Sequence, residues 1–144
     1  MVGKENEGFK MILHGMNAER ILIGAETLGL GYAALRKAAI YAGERNVFWR
    51  PIGKNQAIQH PLADSWMKLE AARFILYHAA RMYDQIYAGE EYANSAKYLA
   101  AEAAFQACER AVMVHGGMGY AKEYYVERYT VRCSSRESLL LVGR

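Results

Sequence analysis

The stretch that decides the fold separates the two longest helical patterns of the chain and reads ERNVFWRPIGKNQAIQ, residues 44–59. A charged pair ends the first pattern, an aromatic and basic cluster follows, and a Pro-Ile-Gly turn leads into a glutamine-rich helix start. Packing two helices together does not require these residue types in their connection. Loops held by a rigid scaffold often carry binding groups, so residues 45–55, here named the elbow, are the first candidate for a ligand contact.

Two helical patterns precede the elbow. The first is short, Glu7 to His14, and stops or kinks near Gly15, whereas the second runs from about Met16 to Arg45 with Asn17 as its N-cap. Apolar positions at alternating steps of three and four predict the buried face of the second helix: Ala25, Leu28, Tyr32, Leu35 and Ala39. Glycines inside a helix cost up to ~1 kcal/mol each relative to alanine, so we expect another backbone to pack closely against Gly24, Gly29 and Gly31.

Two more long patterns follow the elbow. The third helix is predicted from about Gln56 to Tyr87, with a stripe of Leu62, Trp66, Leu69, Ala72, Leu76, Ala79, Tyr83 and Ile86. The fourth runs from about Glu91 to His115, with a seam of Ala93, Ala96, Ala100, Ala103, Ala107, Ala111 and Val114. The glycines after His115 predict the C-terminal end of that helix, and a short helix over Glu123 to Tyr129 is expected next.

These patterns predict an all-α fold, an up-down helical bundle of three long helices plus short terminal helices. Each long helix spans about 40 Å at 1.5 Å per residue. Three such helices do not close a core around themselves, so the sequence implies a fourth helix or a partner chain.

Composition excludes several classes of function. The 144 residues are 53% hydrophobic and 23% charged, and the net charge of +3 gives no case for nucleic-acid binding. The two cysteines make no disulfide framework, and Cys108 is predicted to be a small buried residue. The four histidines show no metal-ligand spacing. No apolar run approaches the ~18 residues of a membrane span, and the N-terminus is unlike a targeting leader.

Several motifs in a characteristic order resemble the C-terminal helical domain of acyl-CoA dehydrogenases, flavoproteins that desaturate acyl-CoA thioesters between the α and β carbons. The resemblance covers roughly residues 7–128. Its motifs are Glu7-Gly8-Phe9, Glu19-Arg20, Tyr41-Ala42-x-Glu44-Arg45-x-x-Phe48, Pro51-Ile52-Gly53-x-x-Gln56-Ala57-Ile58, Leu62-Ala63-Asp64, Glu70-Ala71-Ala72-Arg73, Ala96-Lys97, His115-Gly116-Gly117-Met118-Gly119-Tyr120 and Tyr125-Val126-Glu127-Arg128. Each motif alone is weak, and their joint order and spacing are specific.

The resemblance implies FAD as the cofactor. It places Arg45 and Phe48 against an FAD held mainly by a neighbouring subunit, and it adds Gln56 to the same contact. An arginine can clamp a pyrophosphate bidentately, and a phenylalanine can pack on a ring system. A second segment, the five residues Met113, Val114, His115, Gly116 and Gly117, matches a stretch that lies along the adenosine half of the FAD in the partner.

The resemblance also implies an acyl-CoA site near the start of the long helix. Arg20 matches an arginine near the substrate, and Asn17 is assigned to substrate binding with it. Glu19 is the candidate catalytic base, because one branch of the family carries its base at this position and the Glu-Gly-Thr loop used by the others is not found here. Such a base takes the α-proton while the flavin accepts a hydride from the β carbon.

The resemblance further implies a homo-oligomer, as a dimer of dimers, with an electron-transferring flavoprotein as the acceptor for the full-length enzyme. The compartment would be the cytoplasm in a bacterium and the mitochondrial matrix in a eukaryote. Residues 1–15 would end a segment leading in from a missing middle domain, 16–129 would form the helical domain, and 130–144 a divergent tail. The isolated chain is expected to have little or no dehydrogenase activity.

The sequence departs from the family pattern at several positions. Trp49 stands where a glycine is usual, Met113 replaces a glutamine, and His115 occupies an apolar position. Without the resemblance, Phe48 and Trp49 would be interpreted as core anchors, and Arg45 as a cation that favours the helix C-terminus. A non-catalytic helical oligomerisation or interaction module derived from the family is therefore the alternative function.

Overall fold

The computed structural model describes residues 5–85 and 89–138. Four α-helices are present in this part of the chain: α1 over Gly8–Glu44, α2 over Gln56–Asp84, α3 over Glu90–His115 and α4 over Val126–Ser138. The elbow holds a two-stranded antiparallel hairpin, β1 over Asn46–Val47 and β2 over Arg50–Pro51, and then a 3₁₀ helix over Ile52–Lys54. Two further 3₁₀ helices, Gly116–Tyr120 and Lys122–Tyr124, connect α3 to α4. The all-α fold with three long helices is confirmed.

Helix α1 differs from its prediction at the N-terminal end. It is one continuous helix of 37 residues, so the predicted interruption at Gly15 is wrong. A single glycine weakens a helix by only ~1 kcal/mol, which is too little to break a helix of this length. Asn17 is consequently not an N-cap, because it lies inside α1 and its Oδ1 accepts a hydrogen bond from Arg20 Nη1 at 3.0 Å. The domain boundary expected between residues 15 and 16 falls within this helix.

The contacts between the long helices give their relative directions. Gly24 of α1 faces Ala96, and Gly31 faces Ala104, so α1 and α3 run parallel. The ring of Tyr41 then stacks on that of His115 with centroids 4.2 Å apart, at the C-terminal ends of both helices. Contacts to α2 run in the opposite sense, since Gly24 approaches Leu76 whereas Gly31 approaches Leu69. The bundle is therefore up-down-up.

Two of the three glycines in α1 permit the predicted close approach. A Cβ on Gly31 would lie 2.7 Å from Leu69 Cδ2 and 2.9 Å from Ala104 Cα, and one on Gly24 would lie 3.0 Å from Leu76 Cδ1. The prediction is wrong for Gly29, where a Cβ would meet nothing within 4 Å. Gly29 faces solvent, and its presence has no packing explanation.

The buried faces follow the predicted stripes most closely in α3, where every residue of the alanine seam is buried. In α2, Leu69, Ala72, Leu76 and Ala79 are buried as predicted, but Trp66 is exposed and its neighbour Ser65 is buried instead. Ile86 and Tyr87, at the predicted end of this helix, lie outside the described residues. In α1, Ala25 and Ala39 are exposed, so that stripe is wrong at both ends. Gly24 and Gly31 of α1 lie against α3, and the small residues Ala34 and Ala38 of α1 are buried as well.

Helix α4 corresponds to the short C-terminal helix that the sequence predicts, and it packs against α3 and α1. It is longer than the predicted Glu123–Tyr129 helix and begins later, at Val126, whose side chain is fully buried. Cys133 of α4 lies against Cys108 of α3 with Sγ atoms 3.3 Å apart, and both cysteines are buried. The sulfur–sulfur contact and burial raise the pKa of the Cys108 thiol, so it packs as a small neutral residue, as predicted.

A hydrogen bond between α1 and α2 makes the stability of the bundle depend on alkaline pH. The Tyr32 hydroxyl donates to Glu70 Oε1 at 2.6 Å, and burial followed by this hydrogen bond raises the pKa of Tyr32 to about 12. A folded-state pKa above the unfolded value means that stability is fully present below about pH 10 and is lost as pH rises toward 12. The melting temperature of the wild type should therefore fall more between about pH 9 and pH 11.5 than that of Tyr32→Phe. Equal falls in the two proteins would contradict this coupling.

Candidate functional site

The elbow projects its aromatic residues into solvent. The side chain of Phe48 is 89% exposed and that of Trp49 is 102% exposed. The interpretation of both residues as core anchors is therefore wrong. Large aromatic side chains left outside a core usually mark a contact with another molecule when they sit within a larger patch.

The hairpin forces these two aromatic residues into an unfavourable backbone conformation. Val47 pairs with Arg50, so Phe48 and Trp49 are the two residues of the turn, with φ of 51° and 68°. A two-residue hairpin turn with positive φ at both positions normally carries Asn-Gly or a similar pair. A non-glycine residue in the left-handed region is disfavoured by about 1–2 kcal/mol. The chain thus keeps two aromatic residues where smaller ones would fold more easily.

Hydrogen bonds hold the elbow in place. The backbone N–H of Ile52 donates to the carbonyl of Arg45 at 2.8 Å. Arg50 Nη2 donates to Asn55 Oδ1 at 2.6 Å, and Gln59 Nε2 donates to the Gly53 carbonyl at 2.7 Å. The turn is therefore fixed to the start of α2 and presents its side chains from a defined position.

The elbow is also electropositive. It contains Arg45, Arg50 and Lys54, and residues 45–55 include no Asp or Glu. Arg45 is exposed, and within residues 5–85 and 89–138 no side chain or carbonyl accepts a hydrogen bond from its guanidinium. Gln56 is the exposed first residue of α2, where the helix dipole adds partial positive charge. This arrangement is chemically suited to a phosphate-bearing ligand.

The second candidate segment lies at the same end of the bundle as the elbow. α3 ends at His115, and Gly116 follows with φ of 59°, a value that glycine adopts without strain. Met113, Gly116 and Gly117 are exposed, whereas Val114 and His115 are buried.

The His115 ring is part of the core rather than of the surface. Its Nδ1 hydrogen-bonds the Ala111 carbonyl at 2.7 Å, its ring stacks on Tyr41, and Tyr124 packs edge-on against both rings. In this arrangement the exposed surface of the segment is formed by the Met113 side chain and the backbone at Gly116 and Gly117. Because Tyr41 lies one turn before the elbow, the stack fixes this segment near Arg45.

The residues assigned to substrate chemistry lie toward the other end of α1. Glu19 is exposed, while Asn17 and Arg20 are partly buried and hydrogen-bonded to each other. Glu19 and Glu44 are about 38 Å apart at 1.5 Å per residue. The two groups of candidate residues therefore lie in two separate regions of the bundle.

Lys97 places a further cation beside Glu19 and Arg20, and the sequence motifs assign it no role. Lys97 of α3 is partly buried where that helix crosses α1 near Gly24. Burial lowers the pKa of its ammonium group, the charge of Arg20 lowers it further, and the carboxylate of Glu19 opposes both effects. The sequence contained Lys97 within the Ala96-Lys97 motif, but only the packing of α3 on α1 brings it to this site.

Residues 5–85 and 89–138 contain no group of three or more His, Cys, Asp or Glu side chains that could hold a metal ion. None of the helices described is both long and apolar enough to cross a bilayer.

Comparison with known proteins identifies relatives along nearly the whole chain. Residues 6–138 match the sequence model of "Acyl-CoA dehydrogenase, C-terminal domain". An acyl-CoA dehydrogenase of Bacillus subtilis is 44% identical over 129 residues, which are 89% of this chain and 34% of that protein. A subunit of the caffeyl-CoA reductase–Etf complex of Acetobacterium woodii is 37% identical over 132 residues, 92% of this chain and 35% of that protein.

The fold of the chain is also similar to that of a solved structure. The structure of butyryl-CoA dehydrogenase from Megasphaera elsdenii superposes with a TM-score of 0.91 at 35% identity, covering 94% of this chain and 35% of that one. The chain thus spans about a third of the length of the relatives it matches. A match over residues 6–138, together with the shared fold, shows that the chain belongs to the acyl-CoA dehydrogenase family of flavin-dependent oxidoreductases, through its C-terminal domain.

Proposed function

We propose that this chain forms the C-terminal helical part of an FAD-dependent acyl-CoA dehydrogenase. Its elbow and the Met113–Gly117 segment would contact FAD across a subunit boundary, and the Glu19 end of α1 would form one wall of the acyl-CoA pocket. The observation that carries the proposal is the parallel packing of α1 and α3, which places an exposed arginine, an exposed aromatic pair and an exposed glycine backbone at one end of the bundle.

The residues at this end fit the cofactor. Arg45 can donate two parallel hydrogen bonds to a pyrophosphate, and Phe48 offers a ring for packing. The backbone at Gly116 and Gly117 carries no side chain to hinder a nucleotide. Because the elbow contains no acidic residue, none of its side chains repels two negatively charged phosphates.

The distance along α1 favours two copies of the chain around each cofactor. A catalytic base must lie within hydrogen-bonding reach of the proton that it takes. Because Glu19 is about 38 Å from the end of α1, Glu19 would act beside the flavin of its own protomer while the elbow contacts the FAD of a second one. This assignment requires a homo-oligomer, for which we propose the dimer of dimers implied by the resemblance.

At the substrate end, Glu19 would hold the α-proton removed from the acyl-CoA thioester. Arg20 and Asn17 are hydrogen-bonded to each other one turn apart and would orient the substrate beside it. FAD, when bound, supplies the acceptor for the hydride from the β carbon. For the complete enzyme we propose an electron-transferring flavoprotein as the acceptor, a proposal supported by the Etf complex to which the Acetobacterium relative belongs.

Replacing Arg45 should test the FAD contact directly. Hydrogen bonds to charged groups contribute about 1.5–3 kcal/mol, so Arg45→Ala should weaken FAD binding by about tenfold or more. Flavin fluorescence during titration, together with the rise in melting temperature that a native-state ligand produces, measures the change. Arg81→Ala is the matched control, because Arg81 is an exposed arginine near the far end of α2. Equal affinity in both variants would remove Arg45 from the site.

A non-catalytic interaction module is the second candidate function. Helix α2 exposes several large apolar residues that this chain alone does not cover, namely Trp66, Met67, Phe74 and Tyr77. Contiguous exposed apolar surface is typical of protein–protein contacts. A wild-type chain that self-associates in light scattering but shows no response to FAD would support this alternative over the dehydrogenase assignment.

A further inference from the structure

Trp49 belongs to the exposed aromatic pair of the elbow, but the proposed function assigns ring packing to Phe48 and gives Trp49 no role of its own. It stands at the elbow position where the family resemblance leads one to expect glycine, and its indole is fully exposed. Its φ of 68° is one that glycine would adopt without strain. A solvent-exposed indole at this position contributes no burial that would compensate for the strain within the chain itself.

The surroundings of Trp49 define the chemistry of a molecule that could cover it. Phe48 precedes it in the same turn, Arg50 follows it, and Arg45 and Lys54 lie on either side of the hairpin. Flat aromatic surface next to positive charge, with no acid in residues 45–55, is complementary to a ring attached to phosphates. The hydrogen bonds that fix the hairpin also mean that little freedom is lost when a ligand stacks on it.

We propose that Trp49 is an additional nucleotide-contacting residue whose indole stacks on a flat ring of the FAD held by a second copy of the chain. This inference rests on the proposed function and adds a specificity-determining residue to it. The contact extends the ring-packing role assigned to Phe48. Base–aromatic stacking depends on the face of the ring rather than on its hydrogen-bonding edge, so Trp49 would add affinity for nucleotides over small phosphate compounds.

A tryptophan-specific titration tests the contact. The chain has two tryptophans, so Trp66→Phe leaves Trp49 as the sole indole reporter. FAD added to this variant should quench the Trp49 fluorescence, and Trp49→Gly should bind FAD about tenfold more weakly. Separate titrations with ADP and with FMN identify which ring is stacked, and inorganic pyrophosphate should produce no quenching. The melting temperature of Trp49→Gly without ligand should equal or exceed that of the wild type, because glycine relieves the left-handed backbone strain.

The outcomes separate this inference from the proposed function. Weaker FAD binding in Trp49→Gly at an undiminished melting temperature supports the stacking role, since loss of fold cannot explain it. Unchanged affinity in Trp49→Gly and no quenching, with binding still dependent on Arg45, would overturn the role of Trp49 and leave the FAD site standing. Absence of any response of the wild type at FAD concentrations of about 1 mM would overturn both.

Discussion

Replacing Gly31 by alanine is expected to destabilise the bundle by about 1–3 kcal/mol, the range for overpacking a close-packed site. The new Cβ would lie 2.7 Å from Leu69 Cδ2, 2.9 Å from Ala104 Cα and 3.0 Å from Ala104 Cβ. The leucine can move by changing rotamer, but Ala104 Cα belongs to the backbone of α3 and moves only if the helices separate. Urea denaturation followed by circular dichroism gives the change in free energy of unfolding.

Gly29→Ala is the matched control for this prediction. It lies two residues away in the same helix, and its Cβ would meet nothing within 4 Å. Alanine should therefore stabilise the protein by about 0.5–1 kcal/mol through its better helix propensity. Opposite signs at positions 29 and 31 would confirm that α1 and α3 meet at Gly31. A stabilising effect of alanine at both positions would show that the close approach does not exist in solution.

Leu69→Ala is expected to have an equal or larger effect, about 2–5 kcal/mol of lost stability. The Leu69 side chain is fully buried and fills the space between α2 and the glycine face of α1. Its truncation removes apolar contacts and leaves a cavity that the long, straight helices cannot readily close. The shift of the urea midpoint at constant slope measures the loss.

Leu22→Ala is the control for Leu69→Ala, because Leu22 is 70% exposed on α1 and its truncation should change stability by no more than about 0.5 kcal/mol.

The double variant Gly31→Ala/Leu69→Ala tests the contact between positions 31 and 69. Removing the Leu69 methyl groups takes away one of the atoms that the Gly31 Cβ would meet, so the two losses should sum to less than their individual values by about 0.5 kcal/mol or more. Full additivity would contradict the packing between these two positions.

The presence of the long helices and the buried alanine seam of α3 could be predicted, because both depend on the spacing of nearby residues. Every third or fourth residue of α3 is small, and all seven predicted seam residues are buried. The buried face of α1 could not be predicted in the same way. Its partners are two helices that approach from different directions, so the stripe is wrong at Ala25 and Ala39. The close approach at Gly24 and Gly31 was predicted from the cost of glycine in a helix and not from the hydrophobic pattern. The prediction that Trp66 is buried was wrong for a related reason. The periodicity of a helix does not show whether another helix covers the edge of the apolar face of that helix.

The sequence was enough to name candidate residues for the site, but it did not show which of them lie on one exposed surface. Two neighbouring motifs of the family resemblance contain Arg45, Phe48 and Gln56, so the sequence alone identifies these residues as candidates. The alanine seam predicted the burial of Val114, but the sequence did not indicate that His115 also turns into the core while Met113 remains exposed, because helix α3 ends there and the local chain direction changes. Nor could it indicate that Lys97 approaches Glu19, since residues 19 and 97 are 78 positions apart in the chain.

Local chemistry in the sequence alone determined that the chain is a bundle of long helices and that the elbow interrupts them. The acyl-CoA dehydrogenase family was indicated by the resemblance of the chain's motifs, taken in order. The tertiary structure decided which segments share an end of the bundle, which aromatic residues face solvent and which glycines let helix backbones approach each other closely. The physical reason is that hydrogen-bonded helix formation and turn chemistry act over a few neighbouring residues, whereas the burial of a side chain depends on a second helix whose position is set by packing along its whole length.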